Sequence, residues 1–139
     1  MRPVLLDTDI LSYLGDGRHE DVAAKAGQYY RIFRYFTVSS LTVCEVVQGL
    51  QAVGNLNGVA DFVRRAEGFQ VLSVGLEEAI VAGKIFAALK LAGQQVGNLD
   101  PFIAAVAIVA GLPLVTNNVR HYQRIIDLGF PLELENWTG

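Results

Sequence analysis

The sequence predicts a single α/β domain spanning residues 1–139, with a central, mostly parallel sheet of about five strands flanked by helices. Three observations carry that prediction. The chain has 139 residues, one domain's worth. Short apolar runs of strand length alternate with longer segments whose apolar residues recur at three-and-four spacing, the order that builds strand–helix–strand units with right-handed crossovers. Hydrophobic residues make up 52% of the chain and charged residues 18%, enough apolar surface for a core and too much for a disordered segment.

The elements follow in order. Residues 4–6 form an apolar run ending at Asp7 and read as a buried central strand. A short helix over residues 10–14 comes next, and Asp16-Gly17 is a turn signal. Residues 20–34 place Val22, Ala23, Ala26, Tyr29, Tyr30 and Phe33 on one stripe, so they form an amphipathic helix. Residues 36–39 are the second strand. Residues 41–53 are helical, with Val43, Val46, Val47 and Leu50 on one face, and Gly54-Asn55 stops them. A helix over residues 59–67, closed by Gly68, leads to the alternating strand 69–74. Residues 76–92 are a long helix and residues 93–98 a polar loop. Residues 101–110 are the most apolar helix and 112–115 the most apolar strand. A last helix over 120–128 precedes a short strand near 131–134.

Composition removes several classes of protein. Cys44 is the only cysteine, which excludes an internal disulfide or a cysteine-rich zinc site and suits a reducing compartment. It reads as a buried apolar side chain. Mean hydropathy is +0.35, yet the longest apolar run, residues 102–115, contains Gly111 and Pro113 and falls short of the roughly 20 residues a spanning helix needs. No membrane association is expected. Only three apolar residues separate Met1-Arg2-Pro3 from Asp7, so no signal peptide is expected and the predicted location is the cytoplasm. A net charge of -3 gives no global nucleic-acid footprint. Basic residues do gather locally: between residues 79 and 126 the sole acid is Asp100, among Lys84, Lys90, Arg120 and Arg124.

In parallel α/β sheets ligands bind beyond the carboxyl ends of the strands. Three acids fall there: Asp7 after the first strand, Glu45 in the first turns after the second, and Asp100 opening the most apolar helix. Each also has a capping explanation. Asp7 or Asp9 suits the N-terminus of the first helix, Thr42 with Glu45 fits a capping box, and Asp100-Pro101 is a helix-starting pair. If the three converge, two carboxylates 4 Å apart repel by roughly 4 kcal/mol at an effective dielectric of 20, against about 1 kcal/mol for a cap. A divalent cation relieves that repulsion, and an all-oxygen ligand set suits magnesium or manganese. Asn118, after the strand at 112–115, supplies either an Asx turn or a neutral oxygen to the same site.

Four segments together resemble the PIN-domain family, and within it the VapC-type toxins of toxin-antitoxin pairs. They are residues 5–11 (LLDTDIL), 42–50 (TVCEVVQGL), 100–107 (DPFIAAVA) and 114–122 (LVTNNVRHY). The resemblance covers nearly the whole chain and implies a PIN-like fold. It implies a metal-dependent endoribonuclease that hydrolyses RNA phosphodiester bonds, forms a homodimer and is restrained by a small cognate antitoxin. Asp7, Glu45 and Asp100 would hold Mg2+ or Mn2+, with Thr116 beside them. The fourth acidic position of many members falls on Asn118, which joins the catalytic set, and Asp9 stands where Asn or Ser is common. Under that reading the cation activates water, and Thr116, Arg120 and Arg124 meet substrate phosphates. His121 is not expected to act as a base, since metal-activated water needs none.

Two other readings compete. Leu5-Leu6-Asp7-Thr8-Asp9 also matches a strand ending in DxD, as in haloacid-dehalogenase-like phosphatases, where Asp7 would be the nucleophile and Asp9 its acid. That class requires a later Lys and a paired acidic motif, whereas the late strand here ends in Thr116-Asn117-Asn118. The third reading is a non-catalytic PIN-fold binding module, against which the intact Asp7, Glu45, Asp100 set stands.

Overall fold

The computed structural model describes residues 1–94 and 99–139. Among these the order is β1 (Leu5–Leu6), α1 (Thr8–Asp16), α2 (Glu20–Phe33), β2 (Thr37–Ser39), α3 (Ser40–Ala52), α4 (Leu56–Ala66), β3 (Gln70–Leu72), α5 (Leu76–Leu91), α6 (Asp100–Ala110), β4 (Leu114–Val115), α7 (Val119–Asp127) and β5 (Leu134–Glu135). The polar loop expected at 93–98 lies partly outside the described residues. No described helix is long and apolar enough to cross a membrane.

All strand pairs are parallel, as the alternating pattern predicts. They form two short ladders, β1-β4-β5 and β2-β3, with β1 lying alongside β2. The single sheet of about five strands is thus divided. Its strands are two or three residues long, and the amides of Leu5 and Asp7 both donate toward β4, to the Pro113 and Val115 carbonyls.

Both faces of β1 and β4 are covered, which explains why these two strands lack a polar side. Leu5 and Leu114 point into one core with Ile85, Leu89, Ile103 and Ile125 from α5, α6 and α7. Their neighbours Val4, Leu6 and Val115 point into the other, with Ile10, Val22, Tyr29, Val38 and Trp137. Alternation of side chains along a strand accounts for the division. Each such Leu or Ile contributes about 1.5–3 kcal/mol by leaving water. This packing fixes the carboxyl ends of β1 and β4 side by side.

Helix ends set the remaining geometry. Gly111 adopts φ 68° after α6, a left-handed conformation that favours glycine, and the reversal sends the chain straight into β4. At α3 the cap is Ser39, whose hydroxyl accepts from the Thr42 amide, so the Thr42–Glu45 capping box does not form. At α4 Asn55 accepts from the Gly58 amide. The helix therefore begins three residues earlier than expected, because Asn55 caps α4 instead of merely ending α3. The final strand lies at 134–135, slightly later than predicted. Cys44 is exposed, contrary to the buried role expected of it, because it stands on the uncovered face of α3.

Candidate active site

The β1–β4 pairing brings Asp7 and Thr116 together. Asp7 is only 5% exposed, and both of its oxygens are engaged. Oδ1 accepts from the Thr8 amide at 2.8 Å and lies 3.3 Å from the Tyr122 hydroxyl. Oδ2 accepts from the Thr116 hydroxyl at 2.8 Å. Asp7 caps α1 as its sequence position suggests, but a cap alone does not require such burial. Burial, joined by the charges of Asp9 and Asp100, pushes its carboxyl up to about 7 against the pull of the Thr116 and Thr8 hydrogen bonds.

Asp100 is the first residue of α6, and Leu99 before it gives the helix no side-chain cap. The Asp100 carboxylate turns toward α7, with Oδ1 3.2 Å from the Tyr122 hydroxyl and Oδ2 3.4 Å from His121 Nδ1. Glu45 arrives from α3, where Oε1 accepts from the Thr8 hydroxyl at 2.7 Å. The same hydroxyl lies 3.1 Å from Thr42 Oγ1, so Thr42 faces the site and not the helix cap. All three carboxylates act on one point: burial, then Asp7, Asp100 and Glu45, hold the Tyr122 phenol well above its ordinary pKa.

Asp9 is part of the same neighbourhood. Its Oδ2 accepts from the Asn117 amide at 3.0 Å, its Oδ1 is buried without a hydrogen-bond partner, and burial pushes its pKa up. Asn117 in turn donates to the Tyr13 hydroxyl and accepts from Thr138. Asn118 is the N-cap residue of α7 without a side-chain cap bond. Its amide donates to Thr116 Oγ1 at 2.9 Å, and its Nδ2 lies 3.1 Å from His121 Nδ1.

The donor set is all oxygen and largely carboxylate, and the orphaned oxygen of Asp9 lies in the same neighbourhood. This suits a hard divalent cation. Among the described residues, no three His, Cys, Asp or Glu side chains stand near enough to close a cage around an ion in their present positions. Asp7 and Asp100 are instead bridged by Tyr122.

Other expected site residues fall less centrally. Thr116 is fully buried and its hydroxyl is shared between Asp7 and the Asn118 amide, so it orients an acid and does not face solvent. Arg120 is exposed on α7, and Arg124 donates to the His121 carbonyl of its own helix at 3.4 Å. Thr8, Tyr122 and His121 are brought into the site although the sequence assigns them no role in it. A cavity of about 880 Å³ opens beside Thr8 and Glu45, lined by Leu11, Leu14, Tyr30, Phe36 and Phe62 and by the acids Asp16 and Asp61.

The PIN domain family model matches residues 4–126. Ribonuclease VapC2 of Haemophilus influenzae is 32% identical over 99% of this chain and 100% of its own length. The tRNA(fMet)-specific endonuclease VapC of Salmonella typhimurium is 36% identical over 72% of this chain and 74% of its own. Among solved structures, VapBC-1 from nontypeable H. influenzae superposes with a TM-score of 0.78 at 27% identity, covering 99% of this chain and 100% of that one. DNA-bound VapBC from S. typhimurium gives 0.79 at 26% identity over 99% of both chains. Matched nearly end to end by relatives of the same α/β architecture, the chain belongs to the PIN domain family, among the VapC ribonucleases.

Proposed function

We propose that this protein is the ribonuclease toxin of a toxin-antitoxin pair and hydrolyses RNA phosphodiester bonds with Mg2+ or Mn2+ at the Asp7, Asp100 and Glu45 carboxylates. The observation that carries the reading is the sharing of one buried hydroxyl, that of Tyr122, by carboxylates from the end of β1 and the start of α6. Such an arrangement is costly without a counter-cation. When bound, the cation would supply Lewis-acid activation of water and neutralise charge on the phosphate.

The chain's own residues prepare that chemistry. The Thr8 amide and Thr116 hydroxyl fix the plane of Asp7 and favour its ionised form. The Thr8 hydroxyl holds Glu45 from the same end of α1. Asn118 offers a neutral amide beside His121, which is half exposed and lies toward solvent. In this reading Arg120 and Arg124 of α7 would meet phosphates that flank the cleaved bond. Water adds to phosphorus and a P–O ester bond breaks, so two fragments leave. Because tRNA(fMet) appears in the name of the Salmonella relative, it is the first RNA to assay. Cleavage that requires magnesium and disappears in Asp100→Asn supports the proposal.

The same geometry disfavours the phosphatase reading. That class needs a paired acidic motif after a late strand, whereas β4 is followed by Thr116-Asn117-Asn118, and Thr116 is buried against Asp7. We place the antitoxin in the cavity beside Glu45, whose apolar walls suit a segment with apolar side chains. A second copy would cover the apolar residues Leu76 and Ile80, exposed one turn apart on α5. In this reading the protein would act on RNA, and meet its antitoxin, in the cytoplasm.

A further inference from the structure

Tyr122 is fully buried, and its position on an amphipathic helix would be satisfied by any large apolar side chain. Its hydroxyl nevertheless reaches between the two acids, 3.3 Å from Asp7 Oδ1 and 3.2 Å from Asp100 Oδ1. One phenolic proton serves only one acceptor at a time, and both distances are long for an O–H donor. The hydroxyl therefore acts as a spacer shared by two carboxylates, one from the end of β1 and one from α6. Thr8 and Thr116 hold Asp7 from its other sides, and Thr8 holds Glu45.

We propose that Tyr122 is a positioning residue whose hydroxyl sets the separation of Asp7 and Asp100 and so prepares the pair to take up a divalent cation. The inference rests on the metal reading above and deepens it. With Phe at 122 the ring still fills the core, but the hydroxyl between the carboxylates is gone. Their mutual repulsion is then relieved by rotation of Asp100, the less buried of the two. A cation must then reassemble the site as it binds, and groups of this supporting kind typically govern affinity by about 10- to 100-fold.

The test is calorimetric titration of metal-free wild type and Tyr122→Phe with magnesium, with melting temperatures and RNA cleavage recorded alongside. Magnesium affinity should fall at least about tenfold in the variant, while kcat recovers toward wild type as magnesium is raised. A role in packing alone would lower the melting temperature and leave affinity unchanged; equal affinities, or tighter binding by the variant, overturn the proposal. Wild type that binds no magnesium would overturn the metal reading itself, a distinct outcome. Should Tyr122→Phe fail to fold, wild type supplies the second measurement. Magnesium should perturb the tyrosine absorption band, with the perturbation lost in Asp7→Asn, and binding with no perturbation contradicts the proposal.

Discussion

Thr116 Oγ1 donates a 2.8 Å hydrogen bond to Asp7 Oδ2 across the β1–β4 pair, joining residues near the two ends of the sequence. The bond favours ionised Asp7 against the burial that disfavours it. Thr116→Val keeps the volume and removes the donor, at a cost of about 1.5–3 kcal/mol for a hydrogen bond to a charged group. Asp7 then holds its proton to higher pH. Since a proton competes with the cation for Asp7, metal-free Thr116→Val should bind magnesium more weakly than wild type at neutral pH, the difference narrowing as pH rises. Equal magnesium affinities across that range would show that the bond does not act on Asp7.

Stability of the metal-free protein should depend on pH through the same acid. Burial raises Asp7 from 3.8 to about 7, so between those values the folded state keeps a proton that the unfolded state has lost. The resulting penalty is absent below the ordinary carboxylate value, grows as pH rises and is complete above about 7. Its size is on the order of 4 kcal/mol, and Asp9 contributes in the same direction. In EDTA, Asp7→Asn should melt several degrees higher than wild type at about pH 8, the difference closing toward about pH 4. A lower melting temperature for the variant at the alkaline end would mean that capping of α1 outweighs burial of charge.

Asn118 tests the departure from the four-acid pattern. Its side chain meets His121, and a carboxylate there would add charge near Asp100. Asn118→Asp should tighten magnesium binding in the absence of RNA, and Asn118→Ala should impair cleavage less than loss of Asp7 or Asp100 does. Identical magnesium affinities in titrations of all three proteins would assign Asn118 to the α7 turn alone.

Much of this site is legible in the sequence because strand order and strand ends are legible. Val4-Leu5-Leu6 and Leu114-Val115 are apolar enough to be central strands, and a parallel sheet presents the residues after its strands at one edge. That rule draws attention to Asp7, Glu45, Asp100 and Asn118, and the resemblance of the four segments gives them their expected roles. Thr42 misleads because a Thr three residues before a Glu is a valid capping box, and only the tertiary fold shows that Ser39 caps and Thr42 meets Thr8. Asn55 reads equally as the end of one helix or the start of the next. Tyr122 is hidden for a different reason. On the apolar stripe of α7 a tyrosine looks like a core residue, which it is, and sequence carries no sign of where its hydroxyl ends. The exposure of Cys44 is equally invisible, because burial depends on which face of α3 its neighbours cover.

The proposed dimer is tested at the exposed face of α5. Leu76 and Ile80 are 79% and 50% exposed, one helical turn apart, a pattern more consistent with a covered surface than with scattered apolar residues. Light scattering of the protein freed from antitoxin should report a dimer, and Leu76→Arg with Ile80→Arg should report a monomer. A wild-type monomer at tens of micromolar would remove the dimer and leave the chemistry untouched.

If Asp7 and Asp100 serve a cation that cleaves RNA, both the ion and the acids must be needed for cleavage. The most direct test is an assay on tRNA(fMet) and total RNA with magnesium, with EDTA, and with Asp100→Asn, after circular dichroism has shown the variant folded. Discrete fragments are expected with magnesium alone, none with EDTA, and a loss of at least about a hundredfold in the variant. Cleavage that survives EDTA and Asp100→Asn, or hydrolysis of a small phosphate ester with RNA left intact, would contradict that role.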